Sequence, residues 1–176
     1  MSVNVKNTEG FSLIELMVTL ALVAILAALA APSFSAMLAN AQIRTGAQSI
    51  NDGLVLARVE AIRRNARVIF TLGTQSTWGV TNESDTASVQ SSPVADGSSN
   101  ILVTTTPVGA TKATFDGRGH LVTNTDATSS INQVDVTVPT SLLNTALAKN
   151  LRINVSSGGA IRLCNPNGTY GIGMGC

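Results

Sequence analysis

The chain has 176 residues, a net charge of +1, 44% hydrophobic residues and only 3% aromatic ones. That length holds one long apolar segment and a single domain of about 110 residues, and the near-neutral whole-chain charge argues against a dedicated nucleic-acid protein. No metal-ligand spacing, nucleophile elbow or phosphate-binding loop occurs, and the one histidine, His120, sits in a Gly-rich turn, so no enzyme, cofactor or metal is implied.

Residues 1–10 read as a short polar leader on the cytoplasmic side, absent from the mature protein. From Phe11 to Ala31 the chain is rich in Ala, Leu, Val and Ile, lacks glycine, and carries one charge, Glu15; the next is Arg44. About 20 apolar residues in a helix span roughly 30 Å of hydrocarbon, so this stretch is predicted to cross a membrane. A carboxylate there costs about 2.5–3.5 kcal/mol at a span's centre and less near its end, so Glu15 needs a reason. Cleavage between Gly10 and Phe11 would supply one: the new α-amino group of Phe11 would lie in the same layer as Glu15 and could neutralise the acid of a neighbouring identical helix. The plainer alternative is a carboxylate that snorkels to the interface. An ordinary secretory signal fits less well. Ala28-Leu29-Ala30 has the cleavage pattern, but Lys6 is balanced by Glu9 and an acid lies inside the apolar core.

The run Gly10-Phe11-Ser12-Leu13-Ile14-Glu15-Leu16 resembles the prepilin-peptidase site of type IV pilins and type II secretion pseudopilins. The resemblance implies cleavage after Gly10, N-methylation of Phe11, and a docking role for Glu15 during filament assembly. It also implies the partners: prepilin peptidase, other pilin or pseudopilin subunits, and a bacterial inner membrane crossed once, with the C-terminal domain in the periplasm.

Pro32 closes the apolar run and is expected to bend the helix. Beyond it Ile43, Ala47, Ile50, Leu54, Ala57 and Ala61 follow a 4-3-4-3-4 spacing, an apolar stripe that calls for a sheet to pack on. Glu60 has Arg63 and Arg64 at i+3 and i+4, and Arg63, Arg64 and Arg67 suit the negative end of a helix. Ala57-Arg58-Val59-Glu60-Ala61-Ile62-Arg63-Arg64-Asn65, followed by Val68-Ile69-Phe70, resembles the helix-to-first-strand passage of the FimT/GspH group of minor pilins and pseudopilins, with Val59 where serine is usual. The fold implied is α+β and type IV pilin-like: a helix over 11–67, membrane-spanning over 11–31, packed on an antiparallel β-rich domain over 68–176.

Short β-branched runs bounded by Gly, Pro, Asn or Asp predict strands at Val68–Leu72, Ser76–Thr81, Ile101–Thr106, Ala113–Asp116, Val134–Val138 and Leu151–Val155, with residues 82–100 as a long loop. The only two cysteines, Cys164 and Cys176, fall in the domain expected beyond the membrane and read as a disulfide closing a glycine-rich tail. After Asp135 the charged side chains are Lys149, Arg152 and Arg162; with Tyr170 these form a candidate DNA contact, giving an alternative function as a DNA-binding minor pilin for uptake. Some FimT-type pilins carry a Gly-Arg-x-Arg motif there for DNA. The matching positions here are Gly159, Ala160, Ile161 and Arg162, so the first arginine is missing. The cysteine-closed tail, by resemblance, favours the pilus branch over the secretion branch.

Overall fold

The structure, a computed structural model, describes residues 11–85, 87–93, 98–168 and 175–176, with Pro32 described by its backbone only. One helix, α1, runs Leu13–Arg64. The chain divides into two compact units, Met1–Ser35 and Ala36–Cys176. In the first, Ile14, Leu20, Ile25 and Leu29 are all more than half exposed, an apolar surface left uncovered among the described residues.

In the second unit the rest of α1 buries the stripe read from the sequence: Ile43, Ala47, Ile50, Leu54, Ala57 and Ala61 are fully enclosed, and Ala39 extends it by one turn. The helix stops at Arg64, three residues before the expected end, because Asn65 takes a left-handed conformation (φ 48°). The Asn65 amide then donates to the Ile62 carbonyl and the Ala66 amide to the Ala61 carbonyl, a Schellman closure that satisfies two terminal carbonyls.

Two antiparallel sheets follow. The first contains β1 (Val68–Leu72), β2 (Trp78–Asn82), β3 (Ser88–Ser92), β5 (Lys112–Phe115) and β6 (Leu121–Val122), ordered β3-β2-β1-β5-β6. The second contains β4 (Leu102–Thr106), β7 (Gln133–Thr137), β8 (Leu151–Val155) and β9 (Ile161–Cys164), ordered β4-β7-β8-β9. Alternation puts Val68, Phe70 and Leu72 of β1 and Val134 and Val136 of β7 inward, and one core joins these to the helix stripe.

Three strands escaped the sequence reading. β3 lies inside the expected loop and pairs with β2, because Ser-Val-Gln-Ser-Ser is an exposed edge strand with no apolar alternation to reveal it. β6 has two residues, and β9 was read as tail. Four expected strands shift by a residue or two: β2 begins at Trp78 because Ser76 and Thr77 belong to a turn closed by the Thr77 amide on the Thr74 carbonyl.

Helix and sheet meet closely where the helix has no side chain. A Cβ on Gly53 would stand 2.6 Å from the Trp78 ring and 2.8 Å from the Phe70 ring. These two rings stack with centroids 6.2 Å apart, and the indole N–H of Trp78 donates to Ser49 Oγ at 3.0 Å. Further along, Arg58 Nε donates to the Gly119 carbonyl at 3.2 Å, where the turn after β5 touches the β8–β9 turn. A Cβ on Gly159 (φ 76°) would fall 1.8 Å from that same carbonyl oxygen, so the two turns meet only because this residue is glycine.

Candidate functional site

Ser12 stands just outside α1 as its N-cap, its hydroxyl accepting from the Glu15 amide at 3.2 Å and its carbonyl accepting from the Leu16 amide at 3.2 Å. Glu15 is therefore the third residue of the helix, at the acidic position of a Ser-x-x-Glu sequence, where the positive end of the helix dipole favours a carboxylate. The spacing was readable from the sequence and gives Glu15 a place in the N-terminal turn of the helix. Phe11, one residue before the cap, is 89% exposed. Gly10, on the other side of the expected cleavage site, lies outside the described residues.

At the other end of the chain Cys164 and Cys176 form a disulfide across twelve residues, with Cα atoms 5.1 Å apart. Beside it Asn165 makes a parallel bridge to Gly175. Tyr170 lies outside the described residues.

The three C-terminal cations do not gather into one free patch. Arg152 is paired with Asp135 directly across the β7–β8 ladder, Nε to Oδ1 at 2.6 Å and Nη2 to Oδ2 at 3.3 Å, and both side chains are about 30% exposed. Ile153 and Val155 point inward, so Arg152 and Asn154 point outward, and Arg162, opposite Asn154 on β9, shares that outer face. Lys149 instead borders a hollow also lined by Leu151 and Leu163, residues of the opposite face, and by Arg44 of the helix. Ion pairing and the strand alternation thus separate a set that looked contiguous in sequence.

Other charged groups serve the fold. Glu60 accepts from Arg63 and Arg64, with N···O distances of 2.7 and 2.8 Å at closest, and these bonds hold its carboxyl down to about 2. Asp116 accepts the His120 and Arg118 amides at 2.9 Å each, which lowers its pKa and shapes the turn that carries His120. Arg67, read as a helix-end cation, reaches Glu83 at 3.4 Å and Thr125 Oγ1 at 3.2 Å. Among the described residues no group of His, Cys, Asp or Glu is arranged to hold a metal.

These features, an N-capped apolar helix behind a Gly-Phe junction and a helix stripe closed by two antiparallel sheets, can be set beside known proteins. Residues 5–31 match the model of the prokaryotic N-terminal methylation motif. Residues 46–159, more than half of the chain, match the family model described as type II transport protein GspH. The chain belongs to the GspH family. It is a pilin-like subunit of the minor pilin and pseudopilin kind, structural rather than enzymatic by family, and its N-terminal motif implies processing by prepilin peptidase and assembly with other pilins. No curated protein sequence matches this GspH-family chain. Two crystal structures of the type IV minor pilin FimU of Pseudomonas aeruginosa (strain PAO1) are similar to it. The form in space group P21 has 17% identity, a TM-score of 0.49, and a match covering 69% of this chain and 87% of that one. The form in P65 has 16% identity, the same TM-score, and covers 68% and 90%. Neither the family match nor these similarities supports the DNA-binding alternative.

Proposed function

We propose that this GspH-family chain is made as a precursor, cut after Gly10, methylated on the Phe11 amine, and held in the inner membrane through residues 11–31 with its β-rich domain in the periplasm, until it enters a type IV pilus or type II secretion pseudopilus. The observation that carries this reading is the position of Glu15. It is the lone charged side chain of the exposed apolar stretch 11–31, and it lies in the first turn of the helix, four residues from the amine that cleavage would create. In a bilayer a carboxylate and an ammonium group from adjacent subunits each relieve the other's desolvation, which sets the axial register of one helix against the next.

The capping geometry sharpens the test. Gln at position 15 keeps a side chain that suits the third residue of an N-capped helix but removes the charge; Ala removes both. If docking needs the charge, Glu15→Gln and Glu15→Ala lose filament incorporation alike. If Glu15 only caps the helix, Glu15→Gln incorporates like the parent chain and the docking role is wrong. The intact mass and N-terminal sequence of protein from native membranes test processing separately. A start at N-methylated Phe11 is expected, whereas a start at Ala31 or Pro32 would mean a secreted domain and would overturn the assembly reading.

A further inference from the structure

The segment between β7 and β8 is tied to the start of the second unit by one helix residue. Asn40 Nδ2 donates to the Leu147 carbonyl at 3.2 Å, and Asn40 Oδ1 accepts the Lys149 amide at 2.8 Å. One turn before Asn40 is Met37, 72% exposed, and one turn after it is Arg44, so three successive turns of one helix side carry an apolar foot, a clamp and a cation. Leu147, in the clamped segment, is 59% exposed. Arg44 and Lys149 border the same hollow of about 350 Å³, whose walls include Asn40, Leu151 and Leu163. Among the described residues no acidic side chain pairs with Arg44.

Asn40 follows Ala31, the last residue of the proposed span, by nine residues. That separation is about 14 Å at helical rise, a short tether between the proposed anchor and the clamped segment. Exposed aliphatic side chains beside two cations, on a short tether, are the composition of a surface that enters the headgroup layer. We propose that the hollow between Arg44 and Lys149 receives the phosphate of an anionic phospholipid, with Met37 and Leu147 lying against the boundary of the acyl chains. The domain of the membrane-resident subunit is then seated on the bilayer, and the seat must be released when the subunit enters a filament. This inference rests on the proposed membrane anchor.

The test is hydrogen exchange of the peptide spanning residues 140–150 in the full chain reconstituted into vesicles. Vesicles of phosphatidylcholine alone are compared with vesicles containing about one third phosphatidylglycerol, and flotation records membrane insertion in both. Exchange is expected to slow at least about tenfold with phosphatidylglycerol, as two cations near an anionic surface imply. An Arg44→Gln/Lys149→Gln variant that floats and keeps its disulfide should lose most of that protection. Flotation with identical exchange in both vesicles would overturn the lipid seat and leave the anchor intact; failure to float would overturn the anchor as well. Protection produced by inorganic phosphate in phosphatidylcholine vesicles, without the anionic lipid, would identify a soluble-anion site and overturn the lipid assignment.

Discussion

Replacing Gly53 by alanine sets two opposing effects of known sign against each other. In an exposed helix interior the change is stabilising by about 1 kcal/mol, because alanine loses less backbone entropy on folding. Here the added methyl group would stand 2.6 Å from Trp78 and 2.8 Å from Phe70, as much as about 0.8 Å inside ordinary contact. Neither ring can give way alone, since the two are stacked and the indole is held by Ser49. Forcing a methyl group into a packed core costs about 1–3 kcal/mol, and with contacts this short the middle of that range applies, so after the propensity gain a net loss of about 1 kcal/mol is expected. For a domain of this size that lowers Tm by about 3 °C or more. Urea unfolding of the full chain in detergent, followed by the fluorescence of Trp78, reads it directly, because Trp78 is the only tryptophan and lies at the contact. Gly79→Ala is the control: a Cβ there meets nothing within 4 Å, so it should be neutral or mildly stabilising. A Gly53→Ala chain as stable as the parent, with the control behaving as stated, would refute the close helix-sheet contact.

Gly159→Ala should be worse, costing about 2 kcal/mol or more in the same unfolding assay, since positive φ and the Gly119 carbonyl both oppose a side chain. At Asn65, Gly should be neutral or slightly stabilising, whereas Val should cost about 1–2 kcal/mol, because the Schellman closure needs a left-handed residue. Removing the tail bond with Cys164→Ser and Cys176→Ser should cost about 3 kcal/mol for a loop of this length, and mass spectrometry of the parent chain should show two alkylations only after reduction. Glu60 has a folded pKa lowered from 4.5 to about 2, so its stabilisation is present above pH 4.5 and lost as pH falls through 2. A Glu60→Gln chain should therefore show a flatter decline of Tm than the parent across that window.

What could be read from the sequence and what could not divides along physical lines. The helix stripe was legible because burial against a sheet imposes a period that side chains reveal, and all six residues read from it are enclosed. Strands β1 and β8 were legible in the same way, through β-branched side chains in alternation. β3 was not, because an edge strand held chiefly by backbone pairing needs little apolar alternation, and Ser-Val-Gln-Ser-Ser, with Val89 alone packed on the core, leaves almost no trace of it in its hydrophobicity. The stop at Asn65 was legible in principle, since asparagine is the second choice after glycine for a left-handed cap, but the run of arginines beside it drew the boundary outward.

The arrangement of the C-terminal cations was hidden for a different reason. Lys149, Arg152 and Arg162 are close in sequence, and local net charge treats them as one group. A β-ladder does not: its two-residue alternation assigns Arg152 and Arg162 to the outer face, and the antiparallel register brings Asp135 from seventeen positions away to neutralise Arg152. The cation that borders the same hollow as Lys149 comes from farther still, Arg44 of the helix, which no count of charges after Asp135 could include. Charge that is clustered along the chain is thus dispersed by the fold, and charge that is dispersed along the chain is gathered at the hollow beside the helix.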